Sequence, residues 1–117
     1  MRRVSSGDLS KIKDEKETTL LMYAAAKNRP EMIQWLIDNT SIDIEAVNTD
    51  GETALMYGAY FNSLESVKVL VNNMADLSKT DPRGQNVFFY AISNNAIDVA
   101  EYLYQEGMDI NTVDGDN

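Results

Sequence analysis

Carboxylates are the reactive groups this sequence holds in quantity, with 19 Asp and Glu against 10 Lys and Arg. Two carboxyl groups a few ångströms apart can divide general-acid and general-base work, as in glycoside hydrolysis. Asp43, Asp76 and Asp109 are the first candidates, spaced 33 residues apart and each followed by Ile or Leu. Little of the remaining catalytic repertoire accompanies them. The chain has no histidine, the commonest general base, and no cysteine, so thiolate ligands and disulfides are excluded. Asp114-Gly115-Asp116-Asn117 has the opening of a calcium loop without its downstream glutamate. No Gly-rich phosphate loop or nucleophile elbow is present. Asn39-Thr40-Ser41 matches a glycosylation sequon, read as a chance match in a chain with no visible signal peptide. A catalytic pair needs two groups in one place. Carboxylates that recur with a period suit a repeated structural task, such as hydrogen-bonding loop backbone.

Charge narrows the partners. A formal net charge of -9 repels a nucleic-acid backbone, and Arg2-Arg3 is the one adjacent basic pair. No apolar run approaches the roughly 20 residues that span a bilayer. Arg2-Arg3 is followed by Val4-Ser5-Ser6-Gly7-Asp8 rather than by an apolar signal segment. The expectation is a soluble, cytoplasmic chain with no cofactor, no nucleic-acid partner and no membrane partner.

The period of the aspartates belongs to the whole sequence. Thr19-Leu20-Leu21-Met22-Tyr23-Ala24-Ala25, Thr53-Ala54-Leu55-Met56-Tyr57-Gly58-Ala59 and Asn86-Val87-Phe88-Phe89-Tyr90-Ala91-Ile92 answer one another. A fixed period of this length signals a stacked solenoid, which presents surfaces to other macromolecules. Each unit reads as two short amphipathic helices. The second of the middle unit carries Leu64, Val67, Leu70 and Val71 on one stripe, with Ser63 placed as N-cap and Glu65 in the first turn. Its counterparts begin at Pro30, suited to a first helical position, and at Ile97. Small residues at the matched places Ala24-Ala25, Gly58-Ala59 and Ala91-Ile92 would let neighbouring repeats approach closely. Thr49-Asp50-Gly51 and Pro82-Arg83-Gly84 place glycine where a turn needs positive φ. Met22, Tyr23, Met56, Tyr57 and Trp35 are assigned to core and inter-repeat packing.

Period, helix pair and glycine turn together resemble the ankyrin repeat. The middle unit carries the resemblance as Gly51-Glu52-Thr53-Ala54-Leu55-Met56, Val67-Lys68-Val69-Leu70-Val71 and Met74-Ala75-Asp76-Leu77-Ser78. The third carries it as Gly84-Gln85-Asn86-Val87-Phe88-Phe89 and Gly107-Met108-Asp109-Ile110-Asn111. The resemblance implies an all-α solenoid of helix-turn-helix units joined by hairpin-like loops, with repeats at about 14–47, 48–80 and 81–113. In place of the family's Pro-Leu-His stand Leu20-Leu21-Met22, Ala54-Leu55-Met56 and Val87-Phe88-Phe89. Met22, Met56 and Phe89 are expected to replace the packing of the histidine and not its hydrogen bonds, giving a softer array. Leu21 to Leu55 is 34 residues while Asp43 to Asp76 is 33, so an extra residue falls near 39–42.

The ends read differently. Residues 1–13 form a short polar cap or a tail. Residues 114–117 open a fourth repeat and stop. Either the chain is a piece of a longer repeat protein, the favoured reading, or a partner or second copy covers the last repeat. Monomer and weak self-association through that repeat both remain open.

The resemblance places recognition on hairpin tips and on the inner face of the first helices. Carried over by position, that surface is Glu15, Lys16, Thr18, Ala26 and Lys27, then Thr49, Asp50, Glu52, Tyr60 and Phe61, then Pro82, Arg83, Gln85, Ser93 and Asn94. Tyr60 and Phe61 break the period, since Ala26-Lys27 and Ser93-Asn94 stand at the matched places. Aromatic anchors carry much of the energy of protein interfaces, so at least one of the two is expected to meet a partner, the bland alternative being that one tucks against the next repeat. The function expected is non-enzymatic binding of a protein with a basic or mixed-charge patch. The alternatives are a regulatory segment of a longer enzyme or membrane-associated protein, and, least favoured, a carboxylate hydrolase.

Overall fold

The computed structural model describes residues 9–107, through which the chain runs as three helix pairs. The first pair is α1 (Leu20–Ala26) and α2 (Pro30–Asn39), the second α3 (Ala54–Tyr60) and α4 (Leu64–Asn72), the third α5 (Val87–Ser93) and α6 (Ile97–Gln105). Like stacks on like: α1, α3 and α5 form one layer, and α2, α4 and α6 the other. Among the described residues there is no strand, only an isolated antiparallel bridge between Lys13 and Thr19. This is the all-α solenoid expected.

The first helices start the same way. Thr19, Thr53 and Asn86 hold extended backbone at the N-cap, and their side chains accept the N–H of Met22, Met56 and Phe89 at 3.2, 3.2 and 3.1 Å. The methionines do more than pack, contrary to expectation. Met22 Sδ accepts the Thr19 N–H at 3.3 Å and Met56 Sδ that of Thr53 at 3.4 Å, closing a capping box with sulfur in the usual place of a carboxylate or amide. Phe89 has no such acceptor, so this box is confined to the first two repeats.

The second helices start where expected, with Pro30 first in α2 and Ser63 at the N-cap of α4, but they are capped differently. Ser63 stands at the N-cap of α4, but its hydroxyl makes no capping bond, and neither Arg29 nor Ala96 makes one at the matched positions. The cap comes from the preceding repeat. Asn28 Oδ1 accepts the Ser66 N–H at 3.2 Å and the Ser66 hydroxyl at 2.9 Å; Asn62 Oδ1 accepts the Val99 N–H at 3.4 Å. Both asparagines occupy the turn between paired helices with φ 55 and 53, a left-handed conformation that asparagine tolerates. One residue thus makes the turn of its own unit and satisfies an orphan amide of the next.

The buried core holds Leu21, Ile33 and Leu36 in the first repeat, Leu55, Val67 and Leu70 in the second, and Val87, Val99 and Leu103 in the third. Each such side chain contributes about 1.5–3 kcal/mol by leaving water. Gly58 makes room within its own repeat rather than between repeats, because a Cβ there would stand 2.8 Å from Val67 Cγ2. Ala25 and Ala59 are both fully buried.

Asp43 Oδ1 accepts the Glu45 N–H at 2.9 Å, and Asp76 Oδ1 accepts the Ser78 N–H at 2.9 Å and its hydroxyl at 2.7 Å. That is the loop-holding role expected of the periodic aspartates; Asp109 lies outside the described residues. The extra residue of the first repeat sits at the end of α2, ten residues long against nine for α4 and α6. Where Met74 and Gly107 turn left-handed after α4 and α6, Thr40 stays extended. Its hydroxyl donates to Leu36 O at 2.6 Å and accepts the Ile42 N–H at 3.1 Å. Trp35 is not an inter-repeat core residue: it is 49% exposed. Its matched residues Val69 and Tyr102 are partly covered by a preceding helix pair, which Trp35 lacks among the described residues. The cap-or-tail reading of 1–13 is met only at 9–13, where Leu9 and Ser10 are helical. The fourth-repeat reading at 114–117 lies outside.

Candidate functional site

Each hairpin loop is folded by one side chain. Asp14 Oδ1 accepts the N–H groups of Lys16 and Thr18, Asn48 Oδ1 those of Asp50 and Glu52, and Asp81 Oδ1 those of Arg83 and Gln85, all at 2.9–3.0 Å. These are Asx turns, in which a short polar side chain takes the place of backbone as acceptor. Nine residues on, a tyrosine of the following helix closes each loop. Tyr23 donates to Asp14 Oδ2 at 2.7 Å, Asn48 Nδ2 donates to Tyr57 Oη at 2.8 Å, and Tyr90 donates to Asp81 Oδ2 at 2.7 Å. The tips are also tied to one another. The Thr49 N–H donates to Lys16 O at 2.9 Å, and Tyr90 Oη lies 3.1 Å from Glu52 Oε2. Glycine is required once for two reasons. Gly51 has φ 77, and a Cβ there would stand 2.5 Å from Pro82 Cδ of the next hairpin.

Against these tips and the end of α3 lies a groove of about 360 Å³, lined by Lys16, Asp50, Glu52, Met56, Tyr57, Tyr60, Phe61 and Tyr90. Five of the residues singled out in the sequence therefore meet in one place: Lys16, Asp50, Glu52, Tyr60 and Phe61. Neither aromatic is buried by the array. Tyr60 is 49% and Phe61 53% exposed, with ring centroids 4.9 Å apart and planes at 62°, an edge-to-face pair. Thr49 is exposed and does not line the groove. Lys27 is the exposed C-cap of α1, Asn94 the exposed C-cap of α5, and Arg83 and Gln85 belong to the third hairpin; these four do not line the groove. Arg83 approaches Asp81 at 3.4 Å with its side chain mostly in solvent. Thr18, expected on the surface, is buried.

The charges around the groove are held by specific contacts. Burial works to raise the Asp81 carboxyl, and hydrogen bonds from Tyr90 and from the Gln85 and Arg83 amides outweigh it, leaving it below the usual range. Tyr90 is pushed upward, first by burial and then by Asp81 and Glu52. Asp14 is lowered to about 2 by the Thr18 amide and the Tyr23 hydroxyl. The groove lining carries one ammonium, Lys16, and two carboxylates, Asp50 and Glu52. Among the described residues no three Asp or Glu are placed to hold a metal ion, and no helix is long and apolar enough to cross a membrane.

Met56, Tyr57 and Tyr90 line the groove without having been singled out, because their recurrence marks them as scaffold. The spacing of Asp14, Asn48 and Asp81 ahead of Tyr23, Tyr57 and Tyr90 is the signal that finds them.

The family model for ankyrin repeats (three copies) matches residues 4–81 and 21–114. The B-cell lymphoma 3 protein homolog of Mus musculus is 27% identical over 112 residues, 92% of this chain and 25% of the relative. Ankyrin repeat and SAM domain-containing protein 6 of Mus musculus is 28% identical over 101 residues, 86% of this chain and 11% of the relative. Protein phosphatase 1 regulatory subunit 12A of Mus musculus is 31% identical over 86 residues, 73% of this chain and 8% of the relative. The chain spans a quarter or less of the length of these relatives. With the helix pairs, Asx-closed hairpins and family match in register, the chain belongs to the ankyrin repeat family.

Proposed function

We propose that this chain is a non-enzymatic module that binds a partner protein in the groove between its first two hairpin tips and the end of α3. One observation carries the reading: Tyr60 and Phe61 form an exposed aromatic pair at positions that the other repeats fill with Ala26-Lys27 and Ser93-Asn94. Packing of the array does not demand aromatics there, and burying them against a partner would remove large apolar surface from water. Asp50 and Glu52 beside them, with the net charge of -9, suit a partner that offers a basic or mixed-charge segment. The match to a phosphatase regulatory subunit supports the narrower variant in which this surface serves as a regulatory segment within a longer protein or assembly.

Parallel affinity capture with the chain and with a Tyr60→Ala/Phe61→Ala variant tests the site. The reading expects proteins retained by the first bait and lost by the second, at equal thermal stability of the two baits. Identical retained sets would place the binding surface elsewhere.

A further inference from the structure

The two ends of the described array are the two halves of an interface that the array makes twice internally. Ile92 stands where Ala25 and Ala59 stand; both alanines, each followed by a further repeat, are fully buried, and Ile92 is 56% exposed. Asn95 stands where Asn28 and Asn62 cap the next repeat's second helix. It has the same left-handed backbone, φ 56, and its side chain meets no helix amide among the described residues. At the other end, Met32 stands where Ser66 and Val99 stand, at the third position of a second helix. Those two residues are fully buried and their N–H groups are capped, whereas Met32 is 51% exposed and its N–H has no acceptor among the described residues. Trp35, one turn further along α2, is 49% exposed.

We propose that this chain associates with a second copy of itself head to tail, continuing its own stack across the junction. Asn95 of one copy accepts the Met32 N–H of the next, as Asn28 accepts that of Ser66. Ile92 on one side meets Met32 and Trp35 on the other. The occupant follows from what the internal interfaces show: the open end is shaped for a helix pair whose second helix offers a free amide beside an apolar side chain. The first pair of this same chain has both. A patch that meets a different patch makes a heterologous contact, which extends unless it closes into a ring. Net charge of -9 on each copy opposes the contact, so screening strengthens it. The surface lies apart from the Tyr60–Phe61 groove and stands or falls independently of it.

Sedimentation velocity over a concentration series, at ionic strength of about 0.15 M and above, tests the proposal. The chain is expected to sediment faster as concentration or salt rises. Ile92→Glu and Trp35→Glu are each expected to stay monomeric, because each destroys one of the two patches. An equimolar mixture of the two is expected to form a dimer and nothing larger, since each keeps the half the other has lost. Asn95→Gly keeps the left-handed turn while removing the acceptor, and is expected to weaken association up to about tenfold. A chain that stays monomeric throughout would overturn the proposal. So would a dimer that Trp35→Glu leaves intact, a mixture that does not complement, or unchanged association of Asn95→Gly.

Discussion

A single phenol proton stands between two carboxylates where the second and third hairpins meet, with Tyr90 Oη 2.7 Å from Asp81 Oδ2 and 3.1 Å from Glu52 Oε2. Removing it leaves two like charges facing each other and a buried carboxylate short of a donor. Tyr90→Phe is expected to destabilise the array by about 1–3 kcal/mol in urea unfolding at neutral pH. The same contacts set the pH range of stability. Asp14, Asp76 and Asp81 have folded pKa values below the ordinary one. Their stabilisation is present above the ordinary carboxylate pKa of about 4 and is lost as pH falls through the lowered values, about 2 for Asp14. Tyr23, Tyr90 and Tyr102 are raised. Their contribution is present below about pH 10 and lost above it. Unfolding free energy measured across pH is expected to fall at both ends, less steeply on the alkaline side in Tyr90→Phe; an unaltered alkaline slope would count against the Tyr90 linkage. Tyr60 and Phe61 were legible in the sequence because they break a pattern. Tyr57 and Tyr90 were not, because following the pattern hides a second use. The sulfur contacts of Met22 and Met56 were hidden for another reason: they depend on where a flexible side chain bends, which spacing does not encode.

Among elements, the hairpins are where sequence and structure agree most closely, and the second helices where they part. Glycine at Gly51 and Gly84 was expected to take positive φ, and both do, at 77 and 80. The steric half of the reason was not visible, since Pro82 is far from Gly51 in sequence. Gly51→Ala meets left-handed strain and a Cβ 2.5 Å from Pro82 Cδ, and is expected to cost about 1–3 kcal/mol. Thermal unfolding checks it, and a stability equal to that of the parent would show that the second and third hairpins move apart without cost. Ser63 stands at the N-cap as expected, but the capping bond was sought within the element. The acceptor lies 38 residues earlier, at Asn28, in the turn of the repeat before. Asn28→Gly keeps the turn and removes both bonds to Ser66, whose side chain is fully buried. A loss of about 1–3 kcal/mol is expected in the same measurement, against little change for Asn95→Gly in the monomer.

At the scale of the molecule, contacts join neighbouring repeats and rarely reach further, the one-dimensional logic of a solenoid. That logic explains why the fold was legible from a period while Trp35 was misplaced: identical positions have different surroundings at the ends and in the middle. It also explains why the site is local. The groove draws on the first two hairpins, α3 and one tyrosine of α5, so the proposed binding is open to test without touching the stack. The measurement that tests this most directly is calorimetric titration of a captured partner with the chain and with Tyr60→Ala/Phe61→Ala, alongside the thermal unfolding of both. The account predicts affinity weaker by about 2 kcal/mol or more, roughly thirtyfold, at unchanged unfolding temperature. Equal affinity for the two proteins would contradict it.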